Sequence, residues 1–155
     1  GLDLVVVLNP QVQEALPEPG PGERRVINAD PDQPGGMFAS VRLGLAAARG
    51  GGATGAILLP VDHPLVTGED IRAVAEALRN GAAIAVATHG GRRGHPIGLS
   101  ILVMEQIAAD LSLKTLREIV RLDLNRVVEV PASKGVLEGV NTQEDLERIS
   151  GRSFR

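Results

Sequence analysis

The sequence predicts an α/β fold, a mostly parallel sheet carrying helices on both faces. Three observations predict it. Apolar, β-branched runs such as Leu4–Leu8 show no polar alternation, which suits strands buried on both faces. Stripes of helical period separate these runs, as at Ile71, Val74, Ala75 and Leu78. Asn, Asp and His gather just after the strands, where open α/β sheets bind their ligands.

The elements follow in order. Leu4–Leu8 is a strand stopped by Asn9-Pro10, and residues 11–16 form a short helix. Pro17-Glu18-Pro19-Gly20-Pro21-Gly22 breaks the chain, and residues 25–28 give a second strand. Gly35-Gly36 opens a helix with Phe38, Val41 and Leu45 on one face. Gly50-Gly51-Gly52 follows a helix and precedes a strand, the reverse of a phosphate loop, and reads as a connection. Residues 56–61 are the third strand. Thr67 and Asp70 resemble a capping box for a helix ending at Asn80-Gly81. Residues 83–87 are the fourth strand, and Gly90-Gly91-Arg92-Arg93-Gly94 reads as a turn. Met104, Ile107, Ala108 and Leu111 mark one helix, and Leu113, Leu116, Ile119 and Val120 a shorter one. Residues 127–130 are the fifth strand. Thr142 and Asp145 repeat the capping pattern before a last helix with Leu146 and Ile149 inward.

The 155 residues are expected to form a single domain with an ample core. Without cysteine there are no disulfides, thiol nucleophiles or Cys-zinc sites. A net charge of −3 and only two aromatic residues, Phe38 and Phe154, argue against a nucleic-acid partner. No apolar run approaches membrane-spanning length and no signal peptide is evident, so a cytoplasmic protein without a membrane partner is expected.

Asp62 is the leading candidate for chemistry. A carboxylate at a strand end can bind Mg²⁺ and organise a polyphosphate, and it can equally serve as a turn or cap residue. Arg92, Arg93 and His95 flank a glycine turn that suits an anion, or form a solvated tip. His63 and His89 could be metal ligands or, as is commoner, hydrogen-bonded structural groups, and they lack any zinc-like spacing. The helix opened at Gly35-Gly36, with Ser40 in its first turns, could receive a phosphate.

Four segments in order resemble the MobA-like nucleotidyltransferases, in particular the molybdopterin cytidylyltransferase branch. They are Asn28-Ala29-Asp30 with Gly36–Leu45, then Leu59–Thr67, then Arg93-Gly94-His95-Pro96, and finally Glu138–Leu146. The resemblance implies a three-layer α/β/α sandwich with a Rossmann-like sheet. It implies Mg²⁺ held by Asp62 and Asn141, Asp62 being the catalytic carboxylate. Asn28, Ser40, Arg93 and His95 would bind substrate; Arg92 follows only by proximity. The reaction implied is attack of a molybdopterin-type phosphate on CTP or GTP, releasing pyrophosphate. A homo-oligomer is compatible with it.

The sequence departs from that family at three places. His63 stands where Gln, Met or another residue is common, and Gln143 where Pro is usual. The family's first strand and Gly-rich nucleotide loop have no counterpart, since Leu4–Leu8 aligns with its second strand. The chain is thus expected to be N-terminally truncated, or to have closed the gap, or to have it filled by another segment or subunit. Weak or absent nucleotidyl transfer is expected of it. The competing expectation is a non-catalytic ligand-binding or regulatory module. A response-regulator-like domain lacks its acidic cluster and late lysine here.

Overall fold

The protein is described by a computed structural model over residues 3–32, 36–122 and 126–151. Gly35 and Phe154, singled out above, lie outside the described residues. The chain divides into two compact units, residues 1–56 with 101–124 and residues 57–100 with 125–155.

In the first unit, β1 (Leu4–Leu8) pairs in parallel with β2 (Glu23–Ile27), from Leu4 opposite Glu23 to Leu8 opposite Ile27. Between them runs α1 (Pro10–Ala15), whose cap is Asn9, its Oδ1 accepting from the Val12 amide at 2.7 Å. The long helix α2 (Gly36–Gly50) buries Phe38 and Leu45. Gly44 lets it lie close on β1, since an added Cβ would touch Val7. The helices α4 (Ile101–Ala109) and α5 (Leu116–Leu122) complete the unit. Arg42 on α2 ties them in, donating to the carbonyls of Ile107 in the last turn of α4 and of Asp110 and Leu113 just beyond it, where a cation is favoured.

The second unit holds the latter half of β3 (Gly55–Leu58) and all of β4 (Ile84–His89), β5 (Arg92–Ser100) and β6 (Val127–Pro131). The sheet order is β3-β5-β4-β6. Helix α3 (Gly68–Arg79) buries Val74 and Ala75. Val74 joins Ala85, Ala87, Val130 and Val136 in an all-aliphatic core. Each such valine, fully removed from water, contributes about 1.5–3 kcal/mol. A short 3₁₀ helix (Lys134–Leu137) and α6 (Gln143–Ser150) close the chain.

Both predicted capping boxes are present, Thr67 with Asp70 and Thr142 with Asp145. Several expectations need correction. The expected turn at residues 90–94 shrinks to Gly90-Gly91, both at positive φ, and Arg92 already begins β5. That nine-residue strand runs antiparallel to β4 through the middle of its sheet, while β4–β6 and β1–β2 pair in parallel. Its Gly-rich sequence reads as a loop, but its glycines answer to close packing. A Cβ on Gly94 would overlap the Val136 carbonyl, and one on Gly98 would press into Val74 and Leu78. The third strand stops at Leu58, short of the predicted 61, and Val61 is fully exposed. Leu146 of α6 is exposed rather than inward, and Leu111 lies beyond α4 and is exposed.

Gly94 is thus the test of how the 3₁₀ helix sits on β5. Gly94→Ala is expected to cost about 1–3 kcal/mol in urea unfolding, because the obstacle is backbone and cannot swing aside. A cost below about 0.5 kcal/mol would show that the two segments are not in contact.

Candidate functional site

The site grows from the turn after β3. Pro60 ends the apolar run, and the His63 amide closes a turn on the Pro60 carbonyl at 3.2 Å. Asp62 and His63 are thereby held on a tight connection that leads into the Thr67 cap of α3.

The segment after β6 meets this turn. Asp70, 4% exposed, accepts from the Ser133 amide at 2.8 Å and the Ser133 hydroxyl at 2.8 Å. It also accepts from the Thr67 amide and hydroxyl. Gly135 then passes so close to the Leu65 carbonyl that any Cβ would overlap it. Three residues past the 3₁₀ helix, the Val140 amide donates to the Asp62 carbonyl at 2.7 Å. The Asn141 amide donates to the Asp145 carboxylate at 3.1 Å, so Asn141 is fixed from the turn on one side and the α6 cap on the other. Glu138 adds ion pairs to Lys134 and Arg148. Gly139 lies close against these side chains: a Cβ there would lie 3.3 Å from both Asn141 Nδ2 and His63 Cε1.

The structure therefore brings Asp62 and Asn141 together through adjacent backbone. His63 and His95 join them. Their ring centroids are 4.6 Å apart, with planes tilted by 57°. Burial, with the neighbouring His63, holds His95 below the usual histidine range, and Asp62 opposes this. His95 is thus not the exposed turn cation expected from sequence. It is a half-buried group favoured in its neutral form. Arg93 is exposed and pairs with Glu129 of β6 at 2.9 Å. His89 Nδ1 lies 2.9 Å from the Ala132 carbonyl, a structural contact.

In the first unit, Asn28 and Ser40 are partners of each other. Asn28, 6% exposed, donates from Nδ2 to Ser40 Oγ at 2.9 Å and to the Gly36 carbonyl at 3.2 Å, and its Oδ1 accepts from the Asp30 amide. Ser40 donates to the same Gly36 carbonyl. Together they tie the end of β2 to the first turn of α2.

Sequence reasoning missed the enclosure of His63 and the Asp70–Ser133 link. A signal for the second was the strength of Asp70's position at a helix start; nothing in the local sequence pairs it with Ser133.

With Asp62, Asn141 and the closing segment of the Glu138–Leu146 motif in one place, the comparisons take on meaning. Residues 2–130 match the MobA-like NTP transferase domain. The chain belongs to the MobA-like NTP transferase family. Among curated proteins no sequence matches it. Solved structures share the nucleotidyltransferase fold. Rv0371c from Mycobacterium tuberculosis H37Rv aligns with TM-score 0.74 and 24% identity over 97% of this chain and 76% of that one. Its homolog from Mycobacterium sp. strain JC1 gives TM-score 0.72 and 24% identity over 96% and 74%. A manganese complex of the H37Rv protein gives TM-score 0.67 and 23% identity over 95% and 76%. Among the described residues of this family member, no helix is long and apolar enough to cross a membrane.

The Asp70 network predicts an acid response. Burial alone raises the Asp70 pKa, but the donors from Ser133 and Thr67 outweigh it and hold the carboxyl below its ordinary value. A depressed carboxylate contributes stability that is complete above the unfolded-state pKa of about 3.9 and is lost as pH falls through the folded value. The stability gap between the parent and Asp70→Asn should therefore be largest near neutrality and shrink below about pH 4. Urea melts across pH 2–7 (about the range spanning both states) would refute this if the gap stayed constant.

Proposed function

We propose that this chain acts in nucleotidyl transfer, passing CMP or GMP from CTP or GTP to a molybdopterin-type phosphate acceptor with release of pyrophosphate. One observation carries the reading. The Val140–Asp62 hydrogen bond holds Asn141 beside Asp62, while Asp62 Oδ1 is buried with no hydrogen-bond partner. A buried carboxylate oxygen left unpaired is costly unless something charged or polar meets it.

The donors fit Mg²⁺. This ion takes oxygen ligands and is commonly held by one or two side-chain groups, with waters and substrate phosphates completing its shell. Asp62 offers a carboxylate oxygen and Asn141 an amide oxygen. No group of three His, Cys, Asp or Glu side chains suited to a metal exists among the described residues, so in this reading substrate phosphate oxygens and water would have to complete the shell. A bound divalent ion would neutralise charge on the triphosphate. The manganese complex of the mycobacterial relative supports divalent-cation use on this fold.

An acceptor phosphate oxygen bonds to the α-phosphorus of the nucleotide, and the bond to the β-phosphate breaks as pyrophosphate leaves. The protein's share is positioning and charge neutralisation. In this reading Arg93 offers its guanidinium to a phosphate and His95 a neutral imidazole. Asn28, just after β2, and Ser40, in the first turns of α2, would bind substrate in this reading. A second reading is a ligand-binding module without turnover. It is favoured by the carboxyl end of β1, where Asn9 Oδ1 caps a helix and no Gly-rich loop stands.

The test is binding of CTP and GTP with Mg²⁺ or Mn²⁺, together with pyrophosphate release in the presence of a molybdopterin acceptor. Metal-dependent nucleotide binding should be present and release measurable though weak, with Asp62→Asn reducing that release by on the order of 10²-fold. Binding without release supports the second reading. Indifference of both to Asp62→Asn would remove Asp62 from the chemistry.

A further inference from the structure

Three buried polar atoms with no hydrogen-bond partner belong to neighbouring side chains: Asp62 Oδ1, His63 Nδ1 and His95 Nδ1. Folded proteins pair nearly all such atoms, so a cluster of three calls for an explanation. The His63 side chain is 15% exposed, against 39% for Asp62. Its ring lies beside that of His95 and close to Gly139.

The distance between Asp62 Oδ1 and His63 Nδ1 is 3.9 Å. That is too long for a hydrogen bond. It fits two ligands of one ion. Donors at about 2.1 Å from a shared metal lie up to about 4.2 Å apart. Asn141 lies against the same Gly139, with its Nδ2 and His63 Cε1 equally close to it. The choice of donor atom matters chemically. Mg²⁺ prefers oxygen and rarely recruits imidazole, whereas transition ions accept imidazole nitrogen readily.

We propose that His63 Nδ1 is a direct ligand of the divalent cation held at Asp62, and that it makes this site select a transition ion such as Mn²⁺ over Mg²⁺. The proposal rests on Asp62 being the metal carboxylate. His95 is a positioning residue here: its ring backs the His63 ring and limits its rotation. The remaining coordination positions fall to Asn141, water and phosphate oxygens.

The experiment uses Mn²⁺ alone with the purified chain. Pulsed electron paramagnetic resonance of bound Mn²⁺ should show coupling to an imidazole nitrogen in the parent. Free Mn²⁺ is counted in titrations, and Mg²⁺ affinity is obtained by competition. His63→Gln should lose the nitrogen coupling and reduce the Mn²⁺-over-Mg²⁺ preference by at least about tenfold, the low end of what losing a partner around a metal costs. His95→Gln should keep the coupling. A parent that binds Mn²⁺ through Asp62 without nitrogen coupling overturns the role of His63 and leaves the Asp62 reading standing. So does an unchanged metal preference in His63→Gln. Mn²⁺ binding that is absent, or unaffected by Asp62→Asn, overturns both.

Discussion

The arrangement around Asp62 depends on one buried carboxylate, Asp70. It caps α3 through Thr67 and at the same time receives the amide and hydroxyl of Ser133, 63 residues further along the chain. Four donors on one buried side chain compensate its desolvation, and they fix where the chain leaves β6. The 3₁₀ helix that follows has little choice of position. Gly135 admits the Leu65 carbonyl, and Gly94 admits the carbonyl of Val136. Only then does the Val140 amide arrive at Asp62. The site is therefore assembled by backbone packing, with its charged and imidazole groups placed as a consequence.

Much of this fold can be read from residue patterns. Helix caps are short-range chemistry, so Thr67-Asp70 and Thr142-Asp145 announce their helices directly. Apolar β-branched runs likewise give β1 and β4 within a few residues. β5 escapes such reading for a physical reason. Gly94, Pro96 and Gly98 look like loop chemistry, yet two of the three are small because another segment lies against them. That demand is tertiary and leaves no local trace. The third strand overran for the complementary reason: Leu59 and Val61 continue the apolar pattern past the point where Pro60 interrupts pairing.

The candidate site was partly legible. Asp62 and Asn141 stood out as polar residues near strand ends and within family-like motifs. Their meeting through Val140 was not visible in either segment. His63 was visible as a departure from the family pattern and as one of two histidines that could ligate a metal. The structure gives that departure a chemical context, since it sits between Asp62, His95 and Gly139. Conversely, Asn28 and Ser40 looked like ligand-facing residues, and each spends much of its hydrogen-bonding capacity on the other and on Gly36. Polar residues after strands are thus of two kinds here. Some close the backbone, and some are left with atoms to offer.

The central claim is that the Asp70–Ser133 link delivers Val140, and with it Asn141, to Asp62. Amide hydrogen exchange at Val140 tests it most directly. The account predicts strong protection of this amide in the parent, and selective loss of that protection in Asp70→Ala while the amides of β4 retain theirs. A Val140 amide that exchanges freely in the parent, or keeps its protection in Asp70→Ala, would contradict it.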